Sequence, residues 1–393
     1  FTPYVGRFGK TKHGVFNTFP GFPHRPAANG VELDYTPIMP FLNGMKEIIC
    51  NNDDSFFQCV CDTYSDLLQN PERKSRVCSV YYSPEQQVGK GLFSLLLGTA
   101  LVGEKMIVQV ANDSLIIGDF NALLENKLLI VVDESESHGA SYKFSGRLKN
   151  LITEPTTTLI NRKGFDAFKV CSCLRVMYCT NTIDALQIDL FDKRFFMLQC
   201  NPSRIGQTAF FDQMETIAKE HGWLLWNFFY HRKLSRKDWK NHLPSTPLKQ
   251  QMMQRKFPTP IQFVISCPDF WQGDTNNSQK QHLNASQLKE IKWHYDTLFQ
   301  TYRSWALSEG IDAKFLGKDW TYLVEPLKNI GIHPHSGNKE RIRINNRRFK
   351  GFSIQTQELV EAIKQLFLSK AGQNDASEFE IPIAQLQLLP DEV

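Results

Sequence analysis

The sequence lacks any apolar run long enough for a membrane-spanning helix. About 18 consecutive apolar residues are needed to cross a bilayer, whereas the longest apolar stretches, such as residues 128–132, have the length of a strand. The chain begins Phe1-Thr2-Pro3-Tyr4, without Met, a basic region or an apolar region, so no secretory signal is visible. We therefore expect an intracellular protein without a membrane partner, and the missing Met favours a fragment or a processed chain.

Cysteine pairs with the spacing of a metal or redox site are missing too. The nine cysteines are odd in number and scattered, and only one residue separates Cys59 from Cys61 and Cys171 from Cys173. A one-residue gap fits the alternation of a strand, whereas zinc and redox motifs use a two-residue gap. The sequence therefore predicts reduced thiols and no zinc site.

A large excess of one charge is absent as well. The chain has 45 Lys and Arg against 41 Asp and Glu, a formal net charge of +4, so any nucleic-acid surface must come from local clustering. Its content of 41% hydrophobic, 12% aromatic and 22% charged residues excludes disordered, collagen-like and coiled-coil chains. At roughly 150 residues per domain, 393 residues predict two or three domains.

The pattern along the chain predicts four parts. Residues 1–72 are extended and then helical, and residues 73–232 alternate apolar strands with helices, which is typical of a parallel sheet covered on both faces. Residues 233–283 form a connecting extension. Residues 284–393 predict a winged-helix-like domain with a basic hairpin and a long helix, whose apolar residues repeat at three- and four-residue spacing: Leu288, Ile291, Tyr295, Leu298, Tyr302 and Trp305.

A loop between a predicted strand and a predicted helix carries the first candidate site. Residues 83–91 follow the strand 77–82 and end in Gly89-Lys90-Gly91. A phosphate-binding loop occupies this position in nucleotide-binding proteins, where main-chain N–H groups, the helix N-terminus and a Lys hold the phosphates. Taken alone, these residues fit an ordinary strand-to-helix turn better than a phosphate-binding loop.

Two further strands end in polar residues. The buried strand 128–132 is followed by Asp133-Glu134, which would suit ATP hydrolysis if Asp133 held Mg²⁺ and Glu134 polarised the attacking water. The strand 174–179 is followed by Thr180-Asn181, whose amide would orient water or the γ-phosphate. The alternatives are a strand ending in solvated acids and an Asn that simply ends a strand.

The order and spacing of these elements strengthen the interpretation. Asp133 follows Lys90 by 43 residues, and Asn181 follows Asp133 by 48. All three lie at carboxyl ends of predicted strands, where open α/β sheets bind ligands. The sequence therefore predicts an α/β fold with an AAA+-like P-loop NTPase core.

Motifs along most of the chain carry a family resemblance. They include Pro20-Gly21-Phe22, Asn52-Asp53, Gln69-Asn70-Pro71, Gly89-Lys90-Gly91, Gly118-Asp119-Phe120-Asn121, Val132-Asp133-Glu134, Asn161-Arg162-Lys163-Gly164, Thr180-Asn181 and Asp192-Lys193-Arg194. With these motifs the chain resembles the superfamily 3 helicase region of poxvirus- and phage-type primase-helicases. The middle block resembles the family most specifically, and the first 35 residues and the C-terminal part more loosely.

The resemblance implies an ATP-dependent DNA helicase, the motor part of a replicative primase-helicase. It implies ATP and Mg²⁺ as cofactors, a homo-hexameric ring on single-stranded DNA, and a primase or polymerase partner. Lys90 would bind phosphate, Asn181 would sense the γ-phosphate, and Arg194 would act as an arginine finger in the neighbouring subunit's site. The alternative for Arg194 is an exposed basic residue at the start of a strand.

Two basic clusters are the predicted DNA contacts. The resemblance implies that Arg162 and Lys163 lie on a hairpin in the channel of the ring, where they would grip phosphates without reading sequence. The densest positive patch is the C-terminal cluster of Lys339, Arg341, Arg343, Arg347, Arg348 and Lys350, and its four arginines are the second predicted contact. A solvated turn and a hairpin with a basic outer face are the respective alternatives.

The loop departs from the family pattern. Pro84, Gln86, Gln87 and Val88 occupy most of it where relatives have more glycines, and Gly91 replaces the usual Ser or Thr. Proline removes one N–H donor, and side chains narrow a phosphate nest. A catalytically degenerate relative that acts as a structural or nucleic-acid-binding subunit is therefore the main alternative, and an initiator or loader without strand separation is a third.

Overall fold

The computed structural model describes residues 19–28, 30–111, 121–133, 142–153, 157–183, 186, 192–274, 290–328, 341–344 and 347–371. The chain divides into two compact units, Phe1–Lys249 and Gln250–Val393. Among the described residues no helix combines the length and the apolar character needed to cross a membrane.

Seven strands are described in the first unit. They are β1 (Cys78–Tyr82), β2 (Ile107–Val110), β3 (Leu129–Asp133), β4 (Thr157–Ile160), β5 (Phe168–Cys171), β6 (Arg175–Thr180) and β7 (Phe195–Gln199). Five of them form a sheet in the order β2-β3-β6-β1-β7, and all four neighbouring pairs are parallel. The predicted parallel sheet is thereby confirmed, and β4 and β5 form the predicted antiparallel hairpin beside it.

Helices cover this sheet and share its apolar core. They are α1 (Met39–Cys50), α2 (Asp54–Gln69), α3 (Lys90–Val102), α4 (Tyr142–Thr153), α5 (Thr208–Glu220) and α6 (Gly222–His231). One buried cluster joins Phe41 of α1, Tyr64 of α2, Leu97 of α3 and Trp226 of α6 to the sheet. Because apolar side chains on several helices leave water together, burial holds this layer on the strands.

The second unit contains a smaller antiparallel sheet. Its strands are β8 (Glu290–His294), β9 (Arg341–Ile344) and β10 (Arg347–Gln355), in the order β8-β10-β9. Its helices are α8 (Thr259–Ser266), α9 (Pro268–Gln272), α10 (Tyr295–Ser308), α11 (Thr321–Lys328) and α12 (Thr356–Ala371), and α7 (Pro247–Gln254) spans the boundary between the units.

The long helix predicted to include Ile291 begins only at Tyr295. Residues 290–294 form strand β8 instead, with Ile291 and Trp293 buried and paired with Ile354 and Phe352 of β10. The helical prediction was wrong here because Ile291 and Tyr295 satisfy a four-residue spacing while Ile291 and Trp293 also alternate as in a strand. Pairing with β10 decides between the two patterns. Leu288 lies outside the described residues.

Helix α3 lies unusually close to the sheet. A Cβ atom added at Gly98 would lie 2.6 Å from Ile107 Cδ1 and 2.7 Å from Leu129 Cδ2. Both partners are buried side chains of β2 and β3. Gly98 therefore sets the distance between α3 and the sheet. This distance fixes where the start of the helix lies above the carboxyl ends of the strands.

Replacing Gly98 with Ala tests this close approach. Overpacking a core costs about 1–3 kcal/mol, and the better helix propensity of Ala returns about 1 kcal/mol, so we expect a net loss of unfolding free energy of about 1 kcal/mol. Gly146 in α4 is the matched control, since an added Cβ there meets nothing within 4 Å. Gly146→Ala should stabilise the protein by about 0.5–1 kcal/mol. Equal effects of the two changes in urea denaturation would contradict the packing argument.

Candidate functional site

The loop 83–89 connects the carboxyl end of β1 to the start of α3. Two of its residues have positive φ: Gln87 at 60° and Gly89 at 98°. A Cβ atom at Gly89 would also lie 2.7 Å from Phe211 Cε1. Glycine is therefore required at position 89 both by the left-handed backbone and by the aromatic ring packed against it.

Lys90 is the first residue of α3, and its side chain turns back into the loop. The ammonium group donates to the main-chain oxygens of Ser83 and Glu85, each at 3.2 Å. Burial lowers the pKa of Lys90, while the nearby Asp133 and Glu85 act in the opposite direction. The buried cation is thus satisfied by carbonyl groups of the same loop that would surround a bound phosphate.

Asn181 contacts the same two oxygens from the neighbouring strand. Its Nδ2 atom donates to Ser83 O at 2.7 Å and to Glu85 O at 2.6 Å. Asn181 directly follows β6, which pairs with β1. The structure therefore brings the predicted Lys90 and Asn181 together, and the loop is held from two sides.

Asp133, the last residue of β3, lies beside the first turn of α3. Its Oδ2 atom would lie 2.8 Å from a Cβ atom at Gly91. No side chain fits at position 91 while Asp133 keeps this position, which accounts for the glycine there. The structure thus brings Gly91 and Asp133 together.

Gln109 joins this group and was not found from the sequence. Its Nε2 atom donates to Asp133 Oδ2 at 3.1 Å. Gln109 lies near the carboxyl end of β2, next to β3 in the sheet. A polar residue near the end of an apolar strand was the available signal, but the pairing of β2 with β3 was needed to connect it to Asp133.

The donor set fits a magnesium ion that is shared with phosphate. Mg²⁺ commonly binds through one or two carboxylates, with substrate phosphates and water completing its shell. Among the described residues, no group of three or more His, Cys, Asp or Glu side chains could hold a metal by itself. Asp133 beside the loop would therefore serve a metal that arrives with phosphates. Glu134, the predicted water-polarising residue, lies outside the described residues.

Arg194 lies at the amino ends of the strands, on the opposite side of the sheet from the loop of Lys90. It precedes β7, and its main-chain oxygen accepts from Cys78 N at the start of β1. Its guanidinium donates to both carboxylate oxygens of the buried Asp192, at 2.7 and 2.6 Å. Within one chain the structure therefore does not bring Arg194 to Lys90, Asp133 and Asn181.

Arg162 and Lys163 lie in the turn that joins β4 and β5, but their surroundings differ. Arg162 donates to both carboxylate oxygens of Glu125, at 2.7 and 2.9 Å, and its guanidinium lies 5.1 Å from the ring centre of Phe168. Lys163 is exposed. The positive charge of Arg162 is therefore largely compensated within the chain, and Lys163 is the more available cation of the predicted pair.

The second hairpin holds the four predicted arginines on two paired strands. Arg343 pairs with Arg348, and Arg341 pairs with Lys350, while Arg347 pairs with Ile344. The structure therefore brings the four arginines together in one hairpin.

Comparisons with known proteins agree with the fold. Residues 81–194, which run from the end of β1 to the residue before β7, match a family of unknown function, DUF5906. No curated protein matches the chain. An apo structure of the NrS-1 C-terminal region is similar, with a TM-score of 0.55, 15% identity, and 89% of this chain and 84% of that chain covered.

A second apo structure of the same region, its A form, gives a TM-score of 0.53, 16% identity, and 84% and 77% coverage. At these identities the likeness is one of fold, and it extends over most of both chains. The match therefore supports the arrangement of elements described above and leaves the chemistry to be argued from the site.

Removing the amide of Asn181 tests whether it holds the loop. Asn181→Ala deletes two hydrogen bonds, each with a net value of about 0.5–1.5 kcal/mol. We expect amide hydrogens of residues 83–90 to exchange roughly tenfold faster, the factor that corresponds to 1.4 kcal/mol. Thr182→Ala, at the exposed neighbouring position, is the control and should leave their exchange unchanged. Unaltered exchange in Asn181→Ala would show that the loop is held by other contacts.

Proposed function

We propose that this chain is an ATP-hydrolysing motor of the superfamily 3 helicase type that moves on single-stranded DNA during replication. The observation that carries the proposal is the meeting of Lys90 and Asn181 at the carbonyl oxygens of one loop, with Asp133 beside the first turn of α3. The likeness of fold to the NrS-1 C-terminal region supports a replication-related role.

The parallel sheet supports an AAA+-like P-loop core. A phosphate chain would enter between the loop 83–89 and the start of α3, where the helix N-terminus favours negative charge. Lys90 would exchange the oxygens of Ser83 and Glu85 for phosphate oxygens, and Asn181 would be released at the same time. Both groups would then face the ligand in place of the loop.

Asp133 would hold Mg²⁺, which supplies charge neutralisation at the phosphates when it is bound. Gln109 would keep the Asp133 carboxylate in place through its amide. Glu134, which follows Asp133 in the chain, would polarise the attacking water. With Lys90 and Asn181, these residues would divide phosphate binding, metal binding and proton transfer among the ends of four neighbouring strands, β2, β3, β6 and β1.

A complete site of this kind would need a second copy of the chain. Arg194 lies at the amino ends of the strands. Its action as an arginine finger therefore requires a neighbouring subunit that presents the carboxyl ends of its own strands to Arg194. Such a head-to-tail contact is heterologous and closes into a ring when the rotation allows. We therefore propose a homo-hexamer, with a primase or polymerase as a further partner.

The DNA contacts would be shared between two hairpins. Lys163, with Arg162 beside it, would face the strand in the channel, while the arginines of β9 and β10 would act in loading. The second unit, with a three-stranded antiparallel sheet and helices before and after it, would serve as the winged-helix-like module.

A catalytically inert relative is the second candidate, and the loop itself favours it. Lys90 and Asn181 are already satisfied by loop oxygens, and Pro84 offers no N–H to a phosphate. Such a subunit would keep the sheet and the basic hairpins and would bind nucleic acid without turnover. An initiator or loader would hydrolyse ATP without separating strands.

Two substitutions test the nucleotide site. Lys90→Ala should weaken ATP binding about tenfold or more, because a charge-assisted hydrogen bond to phosphate is worth about 1.5–3 kcal/mol. Glu134→Gln should keep ATP binding and lower turnover at least about a hundredfold, since a general base contributes about 10²–10⁴. Isothermal titration and DNA-stimulated ATPase assays measure the two effects. An inactive wild-type protein would favour the inert relative, and unchanged activity in both variants would exclude this site.

The contributions of Arg162 and Lys163 to DNA binding can be distinguished by the salt dependence of the DNA affinity. Because Glu125 already neutralises Arg162, Lys163→Ala should lower the slope of log affinity against log salt for single-stranded DNA by about 0.7, and Arg162→Ala should lower it less. Both changes together should reduce DNA-stimulated ATPase and leave the basal rate intact. Lys169→Ala, at an exposed cation within β5, is the control. DNA affinity and slope equal to wild type in the double variant would remove the hairpin from the interface.

A further inference from the structure

A cavity of about 670 Å³ lies at the amino ends of the parallel strands, opposite the loop of Lys90. Its lining comes from four separate stretches of the first unit: residues 72–77, Thr153, residues 193–194, and residues 237, 238, 240 and 241. Among the described residues of the lining, seven side chains are basic and two are acidic. This excess of positive charge is far above that of the whole chain, so it marks a local feature of the fold.

Buried polar groups hold one wall of this cavity from the inside. The guanidinium of Arg175 is almost fully buried and donates to the main-chain oxygens of Asn70 and Arg73, at 2.9 and 2.8 Å. The same guanidinium forms an ion pair with Asp66 at 3.1 Å. Lys74, further along this wall, donates to Leu151 O at 3.0 Å. The turn that carries the first group of cations is therefore fixed in position.

The facing wall is held by Asp192. This carboxylate is buried, binds the guanidinium of Arg194 through both oxygens, and lies 3.8 Å from the ammonium of Lys149. The ammonium of Lys249 donates to the main-chain oxygen of Asp192 at 2.7 Å. Next to it, the buried indole of Trp239 anchors the stretch 237–241. Both walls are thus parts of the folded core.

The two acidic residues of the lining have partners of their own. Glu72 pairs with Arg73 at 3.3 Å, and Asp238 pairs with His242 at 2.9 Å. In the part of the chain that the structure describes, no carboxylate lies within ion-pair distance of four lining cations: Arg76, Lys193, Lys237 and Lys240. Cations gathered in this way repel one another unless an anion lies between them.

The residues that line the cavity indicate which class of anion it would bind. Among the described residues of the lining no side chain is aromatic, so these residues offer no stacking surface to a nucleobase or a nucleoside. Several cations at separate positions match an anion that carries several charges in a row, and Lys and Arg together are the usual partners of phosphates. Its volume falls within the range of about 300–1,000 Å³ that is typical of ligand sites.

We propose that this cavity is a second phosphate-binding site, which takes a chain of consecutive phosphates and is separate from the loop of Lys90. The chain of phosphates could belong to a nucleic-acid backbone or to a small polyphosphate, since the lining contacts only the phosphate groups. The site does not depend on ATP hydrolysis at the other edge of the sheet, so an inert relative would keep it.

The experiment uses the full chain with Lys90→Ala, which removes the first phosphate site. In this background Arg76→Gln, Lys237→Gln and Lys240→Gln are combined. The matched control combines Lys233→Gln and Arg236→Gln, at exposed cations of the preceding stretch that do not line the cavity. Inorganic tripolyphosphate is titrated by calorimetry, and fluorescently labelled oligothymidylate is titrated by anisotropy at several salt concentrations. Thermal unfolding verifies that both variants are folded.

We expect the triple change to weaken binding of at least one probe tenfold or more, while the control keeps its affinity. If oligothymidylate is the ligand, the salt slope should fall by about 2, since each lost contact on a single strand contributes about 0.7. If only tripolyphosphate responds, the site takes a small polyphosphate.

The proposal is overturned if the folded triple variant binds both probes as the control does. It is also overturned if the triple change alters only the oligomeric state in sedimentation, because the cavity would then be part of a subunit contact. Absence of ATPase activity in the wild-type protein would contradict only the function proposed above. Failure of that function and failure of the second phosphate site can therefore be told apart.

Discussion

The parallel alignment of five strands is the constraint on which the candidate site depends. Because every strand runs in the same direction, the carboxyl ends of β1, β2, β3 and β6 meet at one edge. Residues far apart in the chain, Lys90, Gln109, Asp133 and Asn181, come together there without any direct sequence link. Gly98 completes the arrangement, since it lets α3 lie close enough to the sheet for Gly91 to reach Asp133.

The buried ammonium of Lys90 imposes a second condition on this edge. A cation removed from water must have partners, and the loop supplies them with the oxygens of Ser83 and Glu85. A phosphate would therefore replace neutral carbonyl partners with charged oxygens, so the gain in free energy would come from charge and not from the number of hydrogen bonds. Affinity for a nucleotide would have to come from charge, from Mg²⁺ at Asp133 and from the N-terminus of α3.

Local sequence patterns were sufficient for the parallel sheet and for the polar residues at its strand ends, and insufficient where distant residues meet. Apolar runs and turn residues predicted the parallel sheet and the hairpin of β4 and β5. The strand β8 was missed because its residues satisfy helical and strand spacing at once, and pairing with β10 decides between them. Gln109 and the pairing of Arg162 with Glu125, 37 residues away, depend on tertiary neighbours that no local pattern contains.

The parallel alignment that brings Lys90, Asp133 and Asn181 together also keeps Arg194 away from them. Arg194 and the cations around it precede β7 and β1, so they lie at the amino edge, across the sheet from Lys90. Asp192 is buried and holds the guanidinium of Arg194 on both oxygens, which makes a swing of this side chain to the far edge costly. Any ligand that requires both edges must therefore be shared between two copies of the chain, whereas a ligand of the basic cavity alone requires only one.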